Sequence, residues 1–116
     1  MFTKCKKDDY QTVAPGILMR TLCFGSGTLM TEFRLLHGHT LPTHSHPHEQ
    51  TGYLIGGHIM LTIGDETHDV MPGDSWCISG GVQHGAEVVQ DSIAVEVFSP
   101  VRDDYLPPAR VTPARR

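Results

Sequence analysis

In GTLMTEFRLL (Gly27 to Leu36), Leu29, Thr31, Phe33 and Leu35 alternate with Thr28, Met30, Glu32 and Arg34. A period of two places the first set on one face of an extended strand and the second on the other. The run GYLIGGHIMLTIGDETHDVMPGDSWCISGG reads as short strands broken by turns at Gly56-Gly57, Gly64-Asp65, Pro72-Gly73-Asp74 and Gly80-Gly81. Glycine supplies positive φ there, and Pro-Gly suits the centre of a type II turn. SIAVEVFSP (Ser92 to Pro100) is a last strand, rich in β-branched residues. No segment holds helical spacing over three turns. Turn signals every eight to ten residues predict an antiparallel sandwich or small barrel. The four prolines after Phe98 predict an extended tail that packs at its start and frays at its end.

A chain of 116 residues, 39% hydrophobic and 19% charged, makes one globular domain with one core. Its net charge of −4 and lack of an internal basic block argue against a nucleic-acid partner. Arg110, Arg115 and Arg116 read as a solvated end. Cys5, Cys23 and Cys77 are odd in number and follow no zinc-finger spacing, which favours a reducing compartment over a disulfide framework. The start MFTKCKKDDYQ has no apolar secretory region, and no apolar run reaches the roughly 20 residues of a membrane helix. A cytoplasmic protein is expected, with no membrane partner.

Chemistry enters at HSHPHEQ, His44 to Gln50. Residues two apart on a strand share a side, so His44 and His46 can face one enclosed space and supply half a coordination shell. His84 is the natural third ligand, because it follows Gly80-Gly81 and opens a strand that can lie beside the first. Isolated His37, His39, His58 and His68 read as structural or solvent-exposed. His48 stays open, since Pro47 can turn its side chain away.

The spacing resembles the two cupin motifs. The first is matched by Gly38, His44, His46, Gln50 and Gly57, and the second by Gly73, Gly81 and His84. Ser79 stands where the second motif has proline, and Val88 where it has asparagine. The resemblance implies an all-β, RmlC-like antiparallel barrel or jelly roll. It also implies one divalent transition metal ion (nickel, zinc, manganese or iron) on His44, His46, Gln50 and His84. A glutamate ligand would bring negative charge, whereas an amide oxygen is a neutral donor. Three imidazoles and an amide leave the ion its full double charge, which favours Lewis-acid chemistry over dioxygenation.

Glu96 is a carboxylate in an apolar strand, sharing a face with Ala94 and Phe98 opposite Ile93, Val95 and Val97. Burial there is costly unless the group lines a cavity; the alternative is an ion pair with Arg34 or Arg20 across the sheet. HSHPHEQ and the ending EVFSPVRDDYL resemble the small KdgF-like cupins of pectin degradation, over the chain to about Leu106. A cupin domain is accordingly expected over residues 1–106 and a Pro/Arg-containing tail over 107–116. Those proteins are understood to act on unsaturated uronates with an acid, an aromatic and an arginine, matched here by Glu96, Phe98 and Arg102. Their acid is commonly aspartate, one methylene shorter than Glu96. Arg102 would clamp a sugar-acid carboxylate, or pair with Asp103 or Asp104. The implied activity is conversion of a 4,5-unsaturated monouronate to its linear 5-keto-4-deoxy form, by a homodimer. The alternatives are another enzyme class on the same barrel (a dioxygenase or lyase) and a non-catalytic small-molecule-binding cupin.

Overall fold

The computed structural model describes residues 1–107, so all of the expected tail except Pro107 lies outside the described residues. The eight strands are β1 (Gln11–Ala14), β2 (Ile17–Phe24), β3 (Leu29–Leu35), β4 (Thr40–His44), β5 (Glu49–Ile63), β6 (Glu66–Val70), β7 (Ser75–Ile78) and β8 (His84–Ser99). All pairings are antiparallel. β5 and β8 run beside each other from Glu49↔Ser99 to Ile63↔His84 and change neighbours midway. The early half of β5 pairs β7 and the late half of β8 pairs β3. Their other halves pair β6 and β4. Two sheets therefore share two long strands, which closes an antiparallel barrel, one of the two forms the turn spacing predicts and of the jelly-roll kind that the resemblance implies.

Period-two patterning sets the inside of the barrel. On β3, Leu29, Thr31, Phe33 and Leu35 are buried while Met30 and Arg34 are exposed. On β8 the even-numbered residues from His84 to Val88 and from Ser92 to Phe98 are buried. β5 starts the same way, with Gln50, Gly52 and Leu54 inward, but then Ile59 and Leu61 are the buried positions. The change of parity falls on a bulge, where the register shifts between Leu54 and Ile59. Gly57 sits there with φ +94°, and a Cβ on it would meet Ser92 Oγ and the Asp91 carbonyl. Gly56-Gly57 is thus not the turn that its glycines predict: the same left-handed backbone bends one strand instead of reversing the chain. The remaining Gly-containing turns fall where expected, between β5 and β6, β6 and β7, and β7 and β8.

The segment after Phe98 is not extended throughout. It folds back in a 3₁₀ turn at Asp103–Tyr105, and Val101, Tyr105 and Leu106 pack on the core. The Tyr105 ring meets Phe33 and Phe98 edge-on at 6.2 and 5.5 Å, and its carbonyl accepts the Thr21 hydroxyl. On the outer face, Glu32 is buried beneath Arg20, Arg34 and Tyr10. Arg20 Nη2 donates to Oε1 at 2.8 Å, while the Tyr10 hydroxyl and Arg34 Nε donate to Oε2 at 2.7 and 3.1 Å. Both arginines offered as partners for Glu96 are committed here. Among the described residues no helix is long and apolar enough to cross a membrane.

Candidate metal centre

His44 ends β4, His46 lies in the following loop, and His84 opens β8 directly opposite His44. One ring nitrogen from each of the three falls within 4.8 Å of the others. In every ring Nδ1 lies against a backbone carbonyl: Pro42 at 2.8 Å for His44, His48 at 3.0 Å for His46, and Val82 at 2.9 Å for His84. A carbonyl only accepts, so each Nδ1 carries the proton and each Nε2 is a bare lone pair. This is the outer-layer arrangement that orients metal-binding imidazoles. The Nε2 of His84 is buried with no partner among the described residues. Burial, reinforced by neighbouring charges, lowers the pKa of His46 and His84. That direction favours the neutral ring that ligation requires.

Gln50 completes the cluster from β5, where it pairs in register with Phe98. Its Nε2 donates to Glu96 Oε1, which fixes the amide's orientation. Its Oε1 therefore lies 2.9 Å from His46 Nε2. With Nδ1 of His46 protonated, two lone pairs face each other across that gap. Such a contact is repulsive unless a proton or a metal ion is shared by both atoms. The bare His84 nitrogen and this paired-acceptor contact fit a divalent cation on three histidines, with the amide oxygen beside it.

Glu96 is the inward carboxylate next to this centre. Burial pushes its pKa up to about 7, opposed by hydrogen bonds from Gln50 and Trp76 and by the charge of Arg102. Trp76 Nε1 reaches Glu96 Oε1 at 3.4 Å. A cavity of about 250 Å³ opens over the cluster, lined by His44, Gln50, Glu96, Phe98, Arg102 and Tyr105 among others. That is near the lower end of small-molecule pockets. Phe98 is buried and meets His46 edge-on at 5.7 Å. The Arg102 guanidinium lies 3.9 Å from the Tyr105 ring centre and 5.1 Å from that of Phe98. Nε and Nη2 of Arg102 grip both oxygens of Asp104 at 3.2 and 2.8 Å. Arg102 thus pairs with Asp104 while also lining the cavity. His48 contributes a carbonyl to the outer layer, and its ring stands outside the three-histidine group.

The profile of the cupin domain family matches residues 31–100. The chain belongs to the cupin family. Among solved structures, this cupin is similar to KdgF from Halomonas sp., at 29% identity and TM-score 0.85, covering 91% of this chain and 98% of that one. An RmlC-like cupin from Shewanella frigidimarina gives 23% identity and TM-score 0.84 over 90% and 95% of the two chains. The polyketide cyclase RemF from Streptomyces resistomycificus gives 24% identity and TM-score 0.75 over 89% and 82%. At these lower identities the likeness is one of fold. No curated protein matches the sequence significantly.

His44, His46 and His84 thus cluster together, and His44, Gln50, Glu96, Phe98 and Arg102 line one cavity beside them. Sequence reasoning missed two of their neighbours. Cys77 is exposed, whereas Trp76 packs against the core. Its approach to Glu96 depends on cross-strand register, which no local spacing reveals. Tyr105 was hidden in a proline-rich ending; its aromatic side chain next to an Arg-Asp-Asp run was the available signal.

Proposed function

We propose that this cupin is a metal-dependent enzyme that opens a cyclic 4,5-unsaturated monouronate to the linear 5-keto-4-deoxy product. The observation that carries the reading is Gln50, whose amide joins the histidine cluster on one side to the Glu96 carboxyl on the other. His44, His46, Gln50 and His84 would hold the ion. When bound, it supplies Lewis-acid polarisation without a redox change.

The remaining groups divide the work by their chemistry. Ring opening breaks the bond between the anomeric carbon and the ring oxygen, and the anomeric hydroxyl gives up its proton to leave an aldehyde. The enolate so formed on the former ring oxygen takes that proton at C4 and becomes a ketone, so atoms balance without a co-reactant. Glu96 is the group that moves this proton; a carboxyl near pH 7 can both give and accept it. Arg102, its plane fixed by Asp104, binds the substrate carboxylate through its remaining N–H groups. Phe98 shapes the floor.

The test is a time-resolved proton NMR assay on freshly generated unsaturated monouronate. Loss of the vinyl proton should accelerate with the metal-loaded protein, and fall at least about 100-fold with Glu96→Gln. Decay at the uncatalysed rate with every sample would reject the reading. Oxygen uptake by an iron-loaded sample would instead point to a dioxygenase.

The same reading includes a cytoplasmic homodimer. The three cysteines are unpaired. On the outer face of β3, β5 and β8, exposed Met30, Tyr53 and Ile55 surround half-buried Ile93, Val95 and Val97, an apolar patch suited to a second copy. Sedimentation equilibrium giving a monomer at micromolar concentration would remove the dimer.

A further inference from the structure

Three strands place Trp76, Gly52 and Glu96 in one row. Gly52 pairs with Trp76 on β7 and with Glu96 on β8. A Cβ on Gly52 would collide with Cε2, Nε1 and Cζ2 of the indole. The nitrogen-bearing edge of the ring therefore lies in the space that a side chain at position 52 would fill. It crosses the whole of β5 there and brings Nε1 to 3.4 Å from Glu96 Oε1. The same oxygen accepts the Gln50 amide. Oε2 has no protein partner among the described residues, and Glu96 lines the cavity. Behind the indole, a second groove lies between β6 and β7, lined by Leu61, Ile63, Val70 and Cys77. Trp76 is the wall between that groove and the carboxyl.

We propose that Trp76 is a positioning residue, which fixes the Glu96 carboxyl on the Gln50 amide through the gap left by Gly52. A glutamate has three side-chain torsions, and one amide donor leaves its carboxyl free to swing. A second donor on the same oxygen, from a ring wedged between strands, removes that freedom and leaves Oε2 facing the cavity in one place. Displacement of a catalytic group by about 1 Å can cost about 100-fold in rate, so anchoring of this kind bears directly on turnover. The functional part of the inference rests on the uronate reading above; the structural part does not.

The test compares nickel-loaded wild type, Trp76→Phe and Gly52→Ala by crystallography and by turnover of unsaturated monouronate. Trp76→Phe removes the N–H and keeps an aromatic ring. Gly52→Ala keeps the indole and pushes it off the row. Expected in both is a Glu96 carboxyl displaced from Gln50 or split between positions. With it, kcat should fall about 10-fold while KM and nickel content stay at wild-type values. A wedge that only stabilised the fold would leave kcat of the folded protein unchanged. If Gly52→Ala fails to fold, Trp76→Phe alone decides. Glu96 unmoved in the variants, or moved without loss of kcat, overturns the proposal. If the wild type itself does not turn over the uronate, that reading fails, and displacement of Glu96 alone judges the anchoring.

Discussion

Gln50 satisfies two neighbours that no other side chain of its size could serve together. Its N–H donates to Glu96 and its oxygen turns toward the histidines. A glutamate at this position would put two carboxylates in contact and force one of them to hold a proton. Gln50→Glu is therefore expected to bind metal more tightly yet lose at least about 10-fold in turnover. Calorimetric metal titration and the NMR assay on one preparation check this; tighter binding with full activity would contradict it. At this scale the three histidines were legible because His-x-His obeys strand parity and His84 follows a turn. The donor that orients Glu96 was not. Trp76 lies twenty residues away in sequence and meets it only through register.

Among the elements, β5 and β8 carry the site, because each passes from one sheet to the other. The bend in β5 switches its inward parity, so Gln50 and Gly52 face the barrel interior beside the site while Ile59 and Leu61 continue the core. Gly57→Val would set a branched side chain at φ +94° against Ser92 and the Asp91 carbonyl. A loss of about 3 kcal/mol is expected from backbone strain alone. Urea unfolding checks it; a change below about 0.5 kcal/mol would mean that the bulge tolerates other backbone shapes. The alternation on β3 and β8 could be read from period two directly. The bulge could not, because paired glycines serve a turn and a bulge by the same positive φ, and only the partner strand decides between them. Likewise the 3₁₀ turn that brings Arg102 and Tyr105 over the cavity depends on rings contributed by β3 and β8.

Over the whole molecule, the two carboxylates buried among the described residues lie on opposite sides of the sheet with opposite treatment. Glu96 faces inward without a paired cation, whereas Glu32 faces outward under two arginines. Burial acts to raise the Glu32 pKa, but hydrogen bonds from Tyr10 and Arg20 and the charge of Arg20 leave it below its ordinary value of 4.5. A depressed folded-state pKa stabilises the fold above the ordinary value, and that stability is lost as pH falls through the folded pKa. Glu32→Gln should thus cost about 2 kcal/mol near neutrality, with the gap to wild type shrinking below about pH 4.5. Urea midpoints at several pH values check the trend, and a gap independent of pH would contradict it.

The proposed chemistry needs one cation held where the three imidazole nitrogens converge. Isothermal titration of metal-stripped protein with nickel(II), beside His84→Ala, tests that most directly. One ion per chain is predicted for the wild type, with affinity reduced at least about 100-fold in the variant. No saturable binding by the wild type, or equal binding by both proteins, would contradict the metal centre and the function built on it.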